Sequence, residues 1–432
     1  LKTKTSFSWP LLLCWLVLTE LVLGGGGRWM SMGPLSPRMI LFGLVQLTVL
    51  YQLISGKWNW KIPFLPFLAV FFGITTFSAL WGWQQGASLT AVFTDVKPLL
   101  FWANLAFFAY VFSDLSQLSN LRFLFKWTTF GLAVSYLALL LFWQLNWIDA
   151  EKMYRHLALN EEFSFRGNLG FMYKGFVFLP VGMFFWLQEK GYRKYFVLLL
   201  LYLAVLFTFT RGFWAILFFI HIFYTLVYRP GKWVNWVAAA FMLVSVYAAG
   251  LYVASQPKAY FKGQEAGEIL NNAEKLQQSL SQTEKEISGA FKQGFEHREA
   301  SILDRFIQIR QVAEATTPLS LVMGHGFGHG IASRPVHMEI TYLEVFHKQG
   351  LAGLGLWIWL FLALVKRFYI AIGRKIRAVD ASSDSFVFFA SACFMFGISC
   401  LNPFINAPMG LGMLALSLIV LEKLSQQKET AL

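Results

Sequence analysis

The 432 residues predict an all-α polytopic membrane protein of about twelve transmembrane helices with one large helical loop on the outer side. Three observations predict it. Only 14% of the residues are charged while 57% are apolar and 18% aromatic, whereas a soluble domain carries about a quarter charged residues. The apolar residues gather in runs of roughly 16 to 24, each long enough to cross about 30 Å of hydrocarbon. Lysine and arginine concentrate in alternate breaks between those runs. A water-soluble enzyme is excluded, and the formal charge of +13 is a matter of loop anchoring, not of nucleic-acid binding.

Taken in order, the spans lie near 8–23, 39–55, 62–83, 98–113, 127–148, 168–188, 195–210, 212–228, 233–255, 340–365, 385–402 and 405–422. The first follows Lys2 and Lys4 but lacks a small-x-small cleavage site, so it reads as a retained helix and not as a secretory signal. With the N-terminus inside, the inner breaks hold eighteen Lys and Arg against seven in the short outer loops (Arg28, Arg38, Lys97, Lys152, Arg155, Arg166 and Arg211). That asymmetry puts both termini in the cytoplasm. Only Thr210, Arg211 and Gly212 separate the seventh and eighth spans, which form either a tight outer turn or one long broken helix. Residues 1–255 thus carry spans one to nine, 256–339 the outer loop, and 340–432 spans ten to twelve. Within the loop, Ile269 to Phe295 and then Ile302, Phe306, Ile309 and Val312 recur near helical spacing, predicting two amphipathic helices broken at Gly289 or Gly294 and laid over the membrane part as a lid. A solvated spacer is the competing reading. Cys14, Cys393 and Cys400 all lie in apolar runs with no CxxC, so neither a disulfide framework nor a structural metal is expected.

Charged groups at span ends call for a function or a partner. Arg211, in Thr-Arg-Gly on the side where arginine is disfavoured, can grip a phosphate with both arms of its guanidinium, or merely snorkel to the interface. Arg298 and Arg305 are seven apart and share a helical face, with Arg310 off it; Glu296, Glu299 and Asp304 are available to neutralise them. Lys174 and Arg166 are further cation candidates for substrate binding. The run Gly324-His325-Gly326-Phe327-Gly328-His329-Gly330 permits positive φ at alternate residues and exposed amides, as an anion-binding turn requires. It lacks the lysine of a nucleotide P-loop. His325, His329, His337 and His347 fall within 23 residues; a histidine there suits removal of a proton from a hydroxyl, with a hydrogen-bonded structural role or a metal site as alternatives. The first outer loop, from Gly24 to Arg38, contains no carboxylate.

In this order and spacing, the Thr-Arg-Gly turn, the large outer loop with its arginine helix, the Gly-x-Gly-x-Gly turn and the His/Glu-led helix ending at Gly350 and Gly353 resemble the bacterial O-antigen ligase and polymerase family. The resemblance covers about Arg166 to Val365. It implies a GT-C-like membrane fold of the inner membrane with a periplasmic site, and an inverting glycosyltransferase without metal or other cofactor. The donor would be a glycan on undecaprenyl diphosphate. Carried onto this chain, the resemblance gives Arg211 and Arg305, with Arg298 as fallback, to the diphosphate. Beside these, Gly324, Gly326, Gly328, His325, Lys174 and Arg166 are substrate-binding candidates by their residue types and positions in this chain, not by the resemblance. The family's base is a histidine eleven residues before the first glycine of Gly-x-x-Gly. Here Glu339 stands at that position and His337 is the nearest histidine, so either His337 acts with Glu339 orienting it, or Glu339 takes the proton itself. Lys174 departs from the Asn-Pro-like residues usual there. The expected acceptor is the lipid A-core of lipopolysaccharide, making a ligase. A polymerase adding to the next lipid-linked repeat is the alternative within the family, a protein O-oligosaccharyltransferase a third relative, and a lipid or glycan transporter the alternative from another class.

Overall fold

The computed structural model describes residues 8–27, 35–56, 64–145, 147–148, 163–165, 171–208, 210–228, 304–372 and 384–430, with the backbone alone at Gln144, Ser164, Phe165, Arg211, 223–228 and Thr430. Its helices are α1 (Trp9–Leu23), α2 (Pro37–Ile54), α3 (Leu65–Gln84), α4 (Leu89–Leu99), α5 (Asn104–Val111), α6 (Leu118–Gln144), α7 (Phe178–Leu187), α8 (Arg193–Phe207) and α9 (Arg211–Tyr228). They continue as α10 (304–315), α11 (Pro318–Met323), α12 (Thr341–Ile372), α13 (Asp384–Ile398) and α14 (Pro408–Thr430). Among the described residues six stretches are long and apolar enough to cross a membrane, and shorter apolar helices accompany them. The ninth predicted span, 233–255, lies outside the described residues.

Local chemistry sets many of the starts. Pro37, Pro318 and Pro408 stand at first helical positions, where a missing N–H costs nothing. The Ser36 and Ser88 hydroxyls accept from the Met39 and Ala91 amides, and Thr317 forms a reciprocal capping box with Ser320. α14 is the axis of the bundle, buried on nearly all sides against α1, α4, α5, α12 and α13. Its Gly412 lets α1 come close: a Cβ there would stand 2.6 Å from Leu21 Cδ2.

The architecture is helical as expected, with one short hairpin added, Phe163–Phe165 (β1) pairing antiparallel with Phe171–Tyr173 (β2), and one expected span is corrected. The predicted span at 168–188 is instead β2, a single 3-10 turn at Lys174–Val177 and then α7, ten residues and about 15 Å long. Pro180, third in α7, explains the late start, because its ring would clash with the Phe176 carbonyl if the α-helix began earlier. Between the seventh and eighth spans the chain takes the tight turn: α8 and α9 run antiparallel, with Trp214 Nε1 donating to the Val205 carbonyl at 3.2 Å and Tyr202 bonded to His221.

The second amphipathic helix of the loop exists as α10, rotated so that of the predicted stripe Val312 is buried while Phe306 and Ile309 face outward. Gln308 and Val312 are its buried face, with Asp304 and Arg305 half-buried beside them, whereas Phe306 is 65% exposed and Ile309 also faces outward. Polar partners inside, described below, outweigh the apolar stripe in setting its rotation. The first predicted loop helix, 269–295, lies outside the described residues, as do Gly289 and Gly294.

Candidate active site

A cavity of about 460 Å3 opens among segments that the charge count puts on the same face: Gly26, Asp95 and Pro98, Phe163, Met172 and Lys174, Phe327, then His337, Glu344 and Lys348, and Asn402, Asn406 and Met409. Its size falls within the range of small-ligand sites. Each wall is pinned by a nameable feature. The strand that precedes Lys174 is tied down at both ends, since Tyr136 Oη lies 3.0 Å from the Phe171 carbonyl and 2.6 Å from that of Phe207, sharing its proton between them, while Tyr173 Oη donates to the Leu23 carbonyl. Pro98 ends the α4 ladder one turn after Asp95, and a 3-10 turn follows. Gly350, at φ 62° and ψ −158°, breaks α12 into a short head, Thr341–Gln349, and the long span beyond. A Cβ on Gly350 would lie 2.3 Å from the Val322 carbonyl, so the break lets α11 pack directly on the head.

The glycine turn does what its spacing predicts in its backbone and something else with its amides. Gly324, Gly326 and Gly328 have φ of 74°, 85° and 82°. Their amides and those between them are not free for an anion. His325 N donates to the His347 carbonyl, Gly326 N to that of Lys348, Phe327 N to that of Ser78, and Gly328 N to Asp95 Oδ2 at 2.7 Å. The turn threads so close to α3 that a Cβ on Gly326 would come within 2.3 Å of Gly82 N. It therefore staples the head of α12, α3 and α4 together.

At the floor of the cavity is a buried ionic cluster. Lys348 Nζ lies 2.8 Å from Asp95 Oδ1 and 2.6 Å from Glu344 Oε1, and these three side chains are only 3–4% exposed. The same ammonium donates to the Val336 carbonyl at 2.8 Å. His337 Nδ1 stands 3.2 Å from Glu344 Oε1 and 3.7 Å from Asp95 Oδ1, with half of its side chain open to the cavity. Asp95, His337 and Glu344 are spaced so that they could surround a cation; the cation placed there is the Lys348 ammonium, which a metal ion would have to displace.

Next to this cluster, but not lining the cavity, is a second one. Glu339 receives Arg334 Nη2 at 2.8 Å and Arg305 Nε at 3.2 Å, Arg334 also reaches Asp304, and Arg305 Nη2 donates to the Leu401 carbonyl at 3.2 Å. Gln308 joins in by accepting from Glu339 N and donating to Asp304. These are the partners that turn the polar face of α10 inward.

Of the residues singled out by sequence, the structure brings His337 and Lys174 to one cavity, with Asp95, Glu344 and Lys348. Glu339 and Arg305 pair with one another beside it. Arg211 starts α9; the following Gly212 leaves room for Leu401, the residue whose carbonyl Arg305 holds, and the preceding Thr210 bonds to the cavity residue Met172 at 3.0 Å. His325 does not line the cavity but stacks on His347 with ring centroids 4.6 Å apart, and His329 Nε2 is 3.2 Å from the Gly82 carbonyl. Burial, and next the nearby His329, hold the His325 imidazole below its ordinary value. Arg166 and Arg298 lie outside the described residues. Sequence reasoning missed Asp95 and Lys348. The Glu344/Lys348 spacing of four at the head of an apolar run was a usable signal; a lone aspartate in α4 was another.

No family model matches the chain, and no solved structure matches it. One curated protein does: an O-antigen polymerase of Shigella flexneri, 26% identical over 408 residues, which cover 91% of this chain and 89% of that protein. At 91% of the chain, the likeness extends beyond the stretch from Arg166 to Val365 whose motifs first suggested it. By this likeness the chain is a distant homologue, over nearly its whole length, within the O-antigen ligase and polymerase family.

Proposed function

We propose that the protein is a polymerase-type glycosyltransferase that moves a glycan from undecaprenyl diphosphate to the hydroxyl of the next lipid-linked repeat, on the periplasmic side of the bacterial inner membrane. The observation that carries this is the meeting, across one cavity, of an exposed imidazole and a cation: His337 on one wall and Lys174 on another, with Lys174 paired to no carboxylate among the described residues. The relative being described as a polymerase favours chain extension over transfer to the lipid A-core, the acceptor that the sequence first suggested.

In this reading the donor diphosphate lies against Lys174 and the Arg211 turn, where positive charge stabilises the leaving group as the anomeric C–O bond breaks. His337 Nε2 takes the proton of the acceptor hydroxyl while its oxygen bonds to the anomeric carbon from the opposite face, which inverts the centre. Glu339 then acts by holding Arg305 toward the Leu401 carbonyl rather than as the base, since both of its oxygens are occupied by guanidinium groups. No step calls for a metal, because cationic side chains supply the charge.

The test is reconstitution of the full chain in nanodiscs with undecaprenyl-diphosphate repeats, with and without EDTA, and with lipid A-core as a competing acceptor. Ladders of extended glycan in EDTA are expected. Product on lipid A-core alone would return the ligase reading, and loss of product with EDTA would refute metal-free transfer. Arg211→Ala with unchanged turnover would remove that residue from the diphosphate site.

A further inference from the structure

We propose that Asp95, Glu344 and Lys348 are positioning residues that fix the tautomer of His337, holding Nδ1–H against the carboxylates and leaving Nε2 to face the cavity. The inference rests on the reading of His337 as the base, but it stands on a separate geometry.

The ring is held at a single nitrogen by two carboxylates from different parts of the chain, Glu344 Oε1 at 3.2 Å and Asp95 Oδ1 at 3.7 Å. Carboxylates accept only, so a close contact with Nδ1 selects the tautomer with the proton there. In water the other tautomer is the usual one, and the contact must therefore be secured. Lys348 secures it twice. Its ammonium bonds the very oxygens that approach the imidazole, and it also holds the carbonyl of Val336, the residue that precedes His337. The remaining Asp95 oxygen is fixed by the Gly328 amide at 2.7 Å. Ring, carboxylates and loop backbone are thus referred to one buried nitrogen.

Charge gives the arrangement its chemistry. Two carboxylates and one ammonium sum to −1 formally, so the cluster faces the imidazole with one uncompensated negative charge. Lys174 is the other charged side chain on the cavity wall, and Arg305, Arg334, Asp304 and Glu339 stand behind His337 in a cluster of their own. When the acceptor O–H breaks and the proton moves to Nε2, the imidazolium completes a neutral set. The electron pair of the O–H bond goes to the anomeric carbon, and that of the C–O bond leaves with the diphosphate, so no co-reactant is needed. A merely structural ion cluster would have no reason to share one nitrogen of a half-exposed ring.

Two readouts on the intact chain in nanodiscs test this. Nitrogen-15 NMR of histidine-labelled protein, with the His337 signals assigned by their loss in His337→Gln, reports the tautomer without any substrate. The Nδ1–H form is expected in the native protein, and the Nε2–H form in Glu344→Gln and in Asp95→Asn. Both variants are isosteric, and gel filtration checks that they fold. In the extension assay, kcat should fall about 10²- to 10⁴-fold in Glu344→Gln, the span that general-base contributions cover, with KM within about twofold. An Nε2–H tautomer in the native chain, or one that does not change in either variant, overturns the proposal even if glycan extends normally. A tautomer that switches as expected in a chain that extends no glycan keeps the positioning and sinks the polymerase reading instead. A raised KM with kcat preserved would assign Glu344 to substrate binding and overturn its positioning role.

Discussion

Two ionic clusters stand side by side on either side of the segment from Arg334 to Lys348, and their difference is instructive. Asp95, Glu344 and Lys348 with His337 form one; Asp304, Glu339, Arg305 and Arg334 form the other. Each has two carboxylates, and each joins segments far apart in the chain. The carboxylates and ammonium of the first are nearly inaccessible, while Arg334 in the second is 40% exposed and Asp304 25%. A charge in the first cluster has lost its water and depends on its partners, so removing one strands the others. In the second, solvent takes over where a partner is lost. The buried set is suited to holding the geometry of the cavity floor, and the open one to tying α10 to the loop before α12 and to the Leu401 carbonyl.

Substitutions rank the contrast. Lys348→Met should have the largest effect, destabilising the protein by about 3–5 kcal/mol because two buried carboxylates are left unpaired. Arg334→Met should cost less than about 1 kcal/mol. Thermal unfolding in detergent measures both, and equal losses would break the comparison. Next, His337→Ala should lower glycan extension about 10²- to 10⁴-fold with an unchanged melting temperature, whereas Glu339→Gln should stay within about tenfold. A reversal of that order in the extension assay would move the base to the open cluster. Lys174→Met should weaken donor binding about 10- to 100-fold, the worth of a charge-assisted phosphate contact, and be seen in KM for the donor. The smallest effect concerns His325, which packs on His347 outside the cavity lining. Its folded-state affinity for a proton is depressed, so the unfolded chain takes up the proton first as pH falls below its value of about 6.5, and stability is lost in that window. His325→Gln should therefore shrink the drop in melting temperature between pH 7 and pH 5.5; an unchanged drop would show that other groups cause it.

Some of this was legible in the sequence because it is local. Hydropathy runs found α1, α2, α3, α12, α13 and α14 to within a few residues, except where α12 runs on to Ile372 and α14 to Thr430. Alternating glycines foretold positive φ at Gly324, Gly326 and Gly328. It failed where a local rule met a distant partner. The stripe of Phe306 and Ile309 is real as a pattern, yet Glu339, thirty-four residues beyond Arg305, rolled α10 the other way. The amides of the glycine turn read as an anion nest, and the carbonyls of Ser78, His347 and Lys348 filled it. Asp95 carried no motif at all: its meaning lies in Lys348, 253 residues later.

By itself the sequence determined that the chain is a helical, polytopic membrane protein, since burial in lipid is settled by some twenty neighbouring residues, and the charge asymmetry of their flanks predicts which segments share a face. Only the tertiary structure decided which of the many cations on that face are spent on carboxylates and which stay open to a ligand. An ion pair is a matter of a few ångströms between chains of side groups that sequence distance does not encode. One nitrogen placed between Asp95 and Glu344 turns two costly buried charges into a mount for His337.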